Sequence, residues 1–197
     1  MAKAKKEQQY YKEIAVDSQE EIAMLQWLHE LKDNGYVTAI TRASSLLLSC
    51  PVINPYLEYK HLKTMVKEVA KEQKLLEKHI YTPEFLVEFS ELGAKLFLDN
   101  NSLSTGRKKE RLFIETGGIC AYFEVKPSFD QNSMTRLFKI NQKWVYDKYR
   151  IYINLVKPGE LFEKSFTPLA YLKTPTGKDK KINWSVRSLS EYIDTLQ

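Results

Sequence analysis

The chain has 197 residues, of which 43% are hydrophobic and 28% are charged, and its formal net charge is +5. This length and composition predict a globular domain whose core needs no disulfide or metal for stability. No apolar run approaches the length of a membrane span, so we expect no membrane contact. The two cysteines form no CxxC pair, which argues against a zinc site and fits a reducing, cytoplasmic compartment. The positive charge is compatible with a polyanionic partner, although many basic proteins bind no nucleic acid.

The chain is predicted to begin with a basic tail and a helix. Residues 1–16 are interpreted as a disordered basic tail, because the lysines of MAKAKKEQQ precede no apolar segment. DSQEEIAMLQWLHELKDNG, from Asp17, predicts a helix capped at Asp17 or Ser18 and ended by Gly35. Its apolar stripe has helical spacing and consists of Met24, Leu25, Leu28 and Leu31.

One or two strands and a second helix are predicted next. The strands occupy YVTAITRASSLLLSCPVINP and end at Pro51 and Pro55. LEYKHLKTMVKEVAKEQKLLEKH, residues 57–79, predicts a helix with lysines and glutamates on its solvated face.

Residues 79–158 are predicted to supply most of the strands. HIYTPEFLVEFSE and GAKLFLDN each predict a strand, and LFIETGGICAYFEVKP predicts a hairpin that turns at Gly117–Gly118. SMTRLFKINQKWVYDKY predicts a helix, RIYINLVKP a strand, and SLSEYIDTL a short final helix. The predicted buried side of the first of these helices is Met134, Leu137, Phe138, Trp144 and Val145. This order of elements predicts an α/β fold with a mixed central β-sheet flanked by helices.

The strand YFEVKP, residues 122–127, carries two charges among apolar residues. Residues two apart on a strand share a face, so Glu124 and Lys126 project together. Burying charge is costly unless the charge is paired or bound to metal. Either this strand has a wet face with a simple ion pair, or the pair takes part in chemistry.

Two further acids are candidates to converge with this pair. Glu84 follows Pro83 at the start of a predicted strand, and Glu21 falls within the apolar arc of the first helix, where a glutamate is unexpected. Phosphodiester hydrolysis uses carboxylates that hold Mg²⁺, with a lysine to orient water or stabilise charge. The structural alternatives are a capping box between Ser18 and Glu21 and an edge-strand charge at Glu84, while Glu20 lies almost as close to the apolar arc as Glu21.

Three segments together resemble the PD-(D/E)xK nuclease superfamily, and in particular its phage-type and junction-resolving endonuclease branches. They are SQEE (18–21), PE (83–84) and EVK (124–126). The resemblance covers roughly residues 17–156 and implies a restriction-endonuclease-like core, with the 57–79 helix and a basic hairpin as insertions. Residues 157–197 are then a C-terminal extension packed on the core. The sequence departs from the superfamily at Glu84, where an aspartate is usual.

The resemblance implies a set of roles for these residues. Glu21, Glu84 and Glu124 would bind Mg²⁺, for which Mn²⁺ can substitute, and the carbonyl of Val125 would be a further ligand. Lys126 would position the attacking water, so that the expected catalytic residues are Glu21, Glu84, Glu124 and Lys126.

The function implied is that of a metal-dependent DNA endonuclease of phage or mobile-element type. It would act in DNA recombination, repair or processing in the cytoplasm, the host cytoplasm if phage-encoded. A homodimer is expected by resemblance, and another assembly partner is the alternative. Two other functions stay open, namely a non-catalytic DNA-binding or assembly protein that retains the nuclease fold, and an unrelated α/β interaction domain.

Two groups of basic residues are candidates for contact with DNA phosphates. The first is a loop run beside the proposed site strand, consisting of Arg107, Lys108, Lys109 and Arg111. The second group is spaced three and four apart on the predicted 133–149 helix and consists of Arg136, Lys139 and Lys143. An ordinary solvated loop or helix face is the alternative for each group.

Overall fold

The computed structural model describes residues 9–99, 111–128, 134–174 and 176–196. These residues form a mixed α/β structure that divides into two compact units. One unit is formed by Met1–Ala43 and Pro83–Gln197, and the other by Ser44–Thr82. None of the helices in the described ranges is both long and apolar enough to cross a membrane.

A run of six strands, β3 to β8, lies between the first two helices of the described residues. In chain order they are β1 (Gln9–Tyr11), β2 (Ile14–Val16), α1 (Gln19–Asp33), β3 (Val37–Arg42), β4 (Leu46–Ser49), β5 (Val52–His61), β6 (Val66–Leu76), β7 (His79–Tyr81), β8 (Phe85–Phe89), α2 (Glu91–Phe97), β9 (Leu98–Asp99), β10 (Phe113–Ile114), β11 (Cys120–Val125), α3 (Met134–Tyr149), β12 (Ile153–Val156), α4 (Pro158–Lys164) and α5 (Leu189–Leu196). A 3₁₀ turn at Leu169–Tyr171 lies between the last two helices.

A four-stranded sheet in the larger unit has the strand order β12-β11-β8-β3. The pairing of β11 with β12 is parallel, whereas β8 is antiparallel to both of its neighbours. Along β8, Phe85, Val87 and Phe89 are buried at alternate positions, which is the period-2 pattern of a strand with one core-facing side. The sheet therefore joins the predicted ExK strand β11 directly to the strand that follows Pro83.

Helix α1 supplies the centre of the core through Trp27. The Trp27 ring contacts Phe97 and Phe113 edge-on and stacks on Phe166 at 5.2 Å between centroids. Its indole N–H donates to Ser165 Oγ at 3.1 Å, so the buried donor is satisfied. This packing joins α1 to α2, to β10 and to the segment that follows α4.

The prediction of a helix over residues 57–79 is wrong. This segment forms part of a two-stranded antiparallel ribbon of β5 and β6, whose register runs from Val52 opposite Leu76 to His61 opposite Val66. The lysines and glutamates that favour a helix pair across the ribbon instead, as Lys71 Nζ does with Glu58 Oε2 at 2.6 Å. Cross-strand pairing has overridden local helix propensity.

Two further predictions about secondary structure are wrong. GAKLFLDN is largely the helix α2, which Ser90 caps by accepting from the Gly93 N–H at 3.0 Å, rather than a strand. Gly117 and Gly118 do form a turn with positive φ values of 69° and 103°. However, the strand before this turn, β10, pairs in parallel with β9 and not with β11, so the predicted hairpin does not form.

Two other segments differ from expectation in detail. Residues 9–16 belong to the predicted tail, but they form the hairpin β1–β2, in which Val16 is buried. Helix α3 buries Phe138 and Val145 as predicted, yet Leu137 and Trp144 are exposed. The side of α3 that is buried is therefore narrower than the set of apolar residues in its sequence suggests.

Candidate functional site

Four of the five charged residues of the candidate site come from strand ends that meet at one end of the central sheet. Arg42 is the last residue of β3, Glu84 immediately precedes β8, and Glu124 and Lys126 lie at the end of β11. Because β8 is antiparallel to both β3 and β11, the start of β8 meets the ends of its two neighbours. Glu21, from the first turn of α1, completes the group.

Arg42 joins two of the predicted site glutamates. Its Nη2 donates to Glu21 Oε2 at 2.5 Å and its Nη1 to Glu84 Oε2 at 2.6 Å. The third guanidinium nitrogen, Nε, donates to the Ala15 carbonyl at 2.9 Å, and Cζ lies 4.9 Å from the centroid of the Phe85 ring. The planar fork of an arginine suits this bridging role, because its donors point in fixed directions.

Glu21 takes part in the cap of α1 and also pairs with Arg42. Its N–H donates to Ser18 Oγ at 3.1 Å, and Ser18 Oγ in turn donates to Glu21 Oε1 at 3.1 Å. This is a variant of the predicted capping box, because the glutamate accepts from the Ser18 hydroxyl and not from its backbone N–H. The other carboxylate oxygen pairs with Arg42, and the side chain is only 4% exposed. Glu20 is half-buried, whereas Glu21 is the glutamate of this turn that faces Arg42.

Glu84 lies in an electrostatic environment that disfavours its charged form. Burial raises the pKa of its carboxyl, and the nearby charges of Glu21 and Glu124 raise this pKa further. Arg42 acts in the opposite direction but does not cancel these effects. Burial is the largest of these effects, and Glu21 and Glu124 lie close enough to Glu84 to add to it.

Glu124 and Lys126 form an ion pair within β11. Lys126 Nζ lies 2.6 Å from Glu124 Oε1, which confirms that the two side chains share a face of the strand. The Lys126 side chain is 14% exposed and that of Glu124 is 7% exposed, so the ion pair of the structural alternative is present, but it lies on a largely buried face and not on a wet one. Val125, between them, is buried and pairs with Val156.

The donor types at this site suit Mg²⁺, but their arrangement does not hold it as it stands. Carboxylate oxygens are the ligands that Mg²⁺ prefers. Among the described residues, however, no group of three or more histidine, cysteine, aspartate or glutamate side chains is placed to hold a metal ion. The cation that bridges Glu21 and Glu84 is the guanidinium of Arg42. The donors therefore suit a divalent metal in type, and two of them are paired with Arg42.

The predicted DNA-contacting residues are only partly described. Arg107, Lys108 and Lys109 lie outside the described residues. Arg111 is exposed, and its Nη1 donates to the Leu98 carbonyl at 2.7 Å. The three basic residues of α3 are all exposed, as their spacing predicted: Arg136, Lys139 and Lys143.

The sequence analysis missed Arg42. Nothing in VTAITR distinguishes this arginine from an ordinary charge at the end of a strand. Its role depends on the pairing of β3 with β8, residues more than 40 positions apart in the chain, which puts Arg42 opposite Phe85 and beside Glu84. Arg42 can be identified as a residue of the site only when the register between β3 and β8 is known.

Comparison with protein-family models, with curated proteins and with solved structures gives no significant match to this chain.

Proposed function

We propose that this protein is a metal-dependent DNA endonuclease built on a restriction-endonuclease-like core. The observation that carries the proposal is the buried Glu124–Lys126 ion pair, which lies within electrostatic reach of Glu84 at one end of a mixed sheet. A buried acid–lysine pair beside further carboxylates supplies the charges that phosphodiester hydrolysis uses. The order of the motifs along the chain, with α1 before β8 and β8 before β11, supports the same proposal.

Each site residue has a role in this proposal. Glu84 and Glu124 would hold Mg²⁺ or Mn²⁺, with Glu21 and the carbonyl of Val125 as further ligands. When bound, the metal supplies Lewis-acid stabilisation of the negative charge that develops on the phosphate. Lys126 holds the attacking water in position through its ammonium group. Its positive charge also stabilises the negative charge that develops on the phosphate.

Contact with DNA is assigned to the exposed basic side of α3, together with the 107–111 run. Arg136, Lys139 and Lys143 are exposed on the helix whose opposite side buries Phe138 and Val145. Lysine and arginine on one side of a helix can follow a phosphate backbone without reading base sequence. The proposed setting is phage or mobile-element DNA recombination, repair or processing in the cytoplasm, with a homodimer or another assembly partner.

One observation favours a second function, a non-catalytic DNA-binding or assembly protein. Arg42 occupies the carboxylates of Glu21 and Glu84, and a permanently held guanidinium would keep a metal out. In this alternative the three glutamates and two cations are a structural network. The glutamate at position 84, where the superfamily usually has aspartate, agrees with this alternative.

Cleavage assays separate the two functions. The wild-type protein is incubated with linear, nicked and four-way branched DNA in Mg²⁺, in Mn²⁺ and in EDTA. The proposed function requires cleavage in at least one metal, none in EDTA, and its loss in a folded Glu124→Gln variant. Binding to DNA without cleavage in either metal would favour the second function.

A further inference from the structure

Arg42 is held more tightly than an ordinary surface arginine. All three of its guanidinium nitrogens donate hydrogen bonds, two of them to carboxylates on different elements of the fold. The guanidinium carbon, Cζ, lies over the Phe85 ring. These contacts place a fixed positive charge between Glu21, on α1, and Glu84, at the start of β8.

The carboxylates of the site are already engaged by cations of the chain. Among the described residues, Arg42 pairs with Glu21 and Glu84, and Lys126 pairs with Glu124. A metal ion that binds to Glu84 through Oε2 therefore meets the Arg42 guanidinium on the same oxygen.

We propose that Arg42 is an internal counter-ion that competes with a divalent metal for Glu21 and Glu84, so that metal enters only when Arg42 releases them. This inference rests on the proposed metal-dependent function. Arg42 thus sets the metal concentration at which the site fills. It is a positioning residue and takes no direct part in phosphodiester cleavage.

The exposure of the side chains shows which partner can move. The Arg42 side chain is 32% exposed and that of Glu84 is 25% exposed, so the guanidinium has a path into solvent. Glu21 is 4% exposed and is held by Ser18, so it stays in place. Release of Arg42 leaves carboxylate oxygens free to meet a metal, whose charge replaces that of the guanidinium.

Calorimetric titration of Mn²⁺ into the full chain, without DNA, tests the proposal. Arg42→Gln removes the competing charge, and we expect its Mn²⁺ affinity to exceed that of the wild type by about tenfold, within the usual range of coupling between two ligands. Arg150→Gln removes the same charge from an exposed position after α3 and serves as the control. We expect this control to bind Mn²⁺ with wild-type affinity.

A second variant separates competition from a general effect of charge. Arg42→Lys keeps the positive charge but lacks the fork that reaches both carboxylates, so we expect its Mn²⁺ affinity to lie between those of the wild type and Arg42→Gln. Unchanged or weaker Mn²⁺ binding in a folded Arg42→Gln variant would overturn the proposal, because Arg42 would then support the site and not compete for it.

A measurement on the wild type covers the case in which Arg42→Gln fails to fold. The Nε–H resonance of Arg42 is followed by NMR during a Mg²⁺ titration, and we expect it to move as the guanidinium leaves Ala15 and the two glutamates. A resonance that stays unchanged at metal saturation would contradict release, and an absence of metal binding would contradict the inference and the proposed function together.

If Arg42→Gln binds metal more tightly but neither protein cleaves DNA, the inference stands and the proposed function fails. If the wild type cleaves DNA in the presence of metal but Arg42→Gln binds metal no more tightly, the proposed function stands and the inference about Arg42 fails.

Discussion

The N–H of Glu84 donates to the carbonyl of Phe123 at 2.9 Å, although the ladder partner of Phe123 is Phe85. Glu84 therefore stands outside the regular register at the start of β8, as the extra residue of a β-bulge does. Bulges of this kind turn a side chain away from the direction that strand alternation would give it. Here the carboxylate of Glu84 meets Arg42, and the irregularity positions one of the three acids of the candidate site.

The first prediction concerns the contribution of Glu84 to the pH dependence of stability, because the pKa of this carboxyl is raised in the folded state. The folded state binds this proton more tightly than the unfolded chain does. The contribution of Glu84 to the free energy of unfolding therefore falls as pH rises from about 4.3, the usual glutamate pKa, through the raised value. Glu84→Gln cannot ionise and escapes this loss. We expect Glu84→Gln to gain stability relative to the wild type as pH rises through this window.

Urea denaturation in metal-free buffer from pH 4 to pH 8 measures this difference. Glu88→Gln removes the same charge from an exposed position on β8 and controls for the loss of charge alone. A difference between Glu84→Gln and the wild type that is the same at every pH would contradict the raised pKa.

The elements that could be predicted are those whose signals are local. Helix α1 has an apolar stripe, a capping serine at Ser18 and Gly35 just past its end, where φ is +77°. The shared face of Glu124 and Lys126 follows from the period of a strand alone. These features depend on neighbours in the chain, so the sequence carries them directly.

The features that could not be predicted depend on contacts between distant segments. The turn of the β5–β6 ribbon centres on Lys63 and Thr64, and the Leu62 N–H donates to the Met65 carbonyl at 2.8 Å across it. This turn lacks the glycine, asparagine or proline that marks most hairpins, while the flanking lysines, glutamates and alanine favour a helix. Arg42 was missed for the same reason, since its partners are defined by the register of the sheet.

The second prediction concerns the packing of α2 on the main chain. A Cβ at Gly93 would lie 2.0 Å from the Tyr36 carbonyl oxygen, which also accepts a hydrogen bond from the Ser90 N–H at 3.0 Å. Gly93→Ala must push this helix away from the backbone before β3, and we expect a loss of about 1–3 kcal/mol or more in the free energy of unfolding.

Gly159→Ala is the matched control, because a Cβ there meets nothing within 4 Å and Gly159 lies in the first turn of α4. Alanine is the better helix former, so this variant should match the wild type or gain up to about 1 kcal/mol. Urea denaturation at one pH compares the two substitutions. Equal stabilities for the two variants would show that the approach of Gly93 to Tyr36 is not tight.

The third prediction concerns the basic side of α3. If Arg136, Lys139 and Lys143 contact phosphates, DNA affinity falls steeply with salt, because neutralised phosphates release counterions. Replacing all three by alanine should weaken binding to every DNA sequence alike and reduce the slope of log K against log salt by up to about 0.9 for each lost contact. Fluorescence anisotropy between 50 and 200 mM salt, roughly the range in which such contacts are sensitive, measures the slope. Lys164→Ala, an exposed lysine at the end of α4, is the control, and an unchanged slope in the triple variant would remove α3 from the interface.

The fourth prediction separates a catalytic lysine from a structural one. Lys126 acts on the attacking water or on developing charge in the proposed function, and a group of this kind affects turnover far more than ground-state binding. Lys126→Ala should therefore leave DNA affinity nearly unchanged while cleavage in Mg²⁺ falls by about 10²-fold or more. Glu124 is almost fully buried, so Lys126→Ala takes the ammonium away from its carboxylate and should also cost stability, about 3 kcal/mol by analogy with other broken buried pairs.

The double variant Lys126→Ala, Glu124→Gln isolates the effect of Lys126 on stability. It removes the carboxylate that has lost the Lys126 ammonium, so it should recover much of the lost stability. Cleavage is compared between Lys126→Ala and the control Lys164→Ala, which loses an exposed lysine at the end of α4. Single-turnover rates are measured well below the midpoint of thermal denaturation, so that a loss of stability does not reduce the folded fraction. If folded Lys126→Ala cleaves as fast as Lys164→Ala, Lys126 serves the fold and not the reaction, because a residue that acts on water or phosphate is needed for the chemical step even when the protein is fully folded.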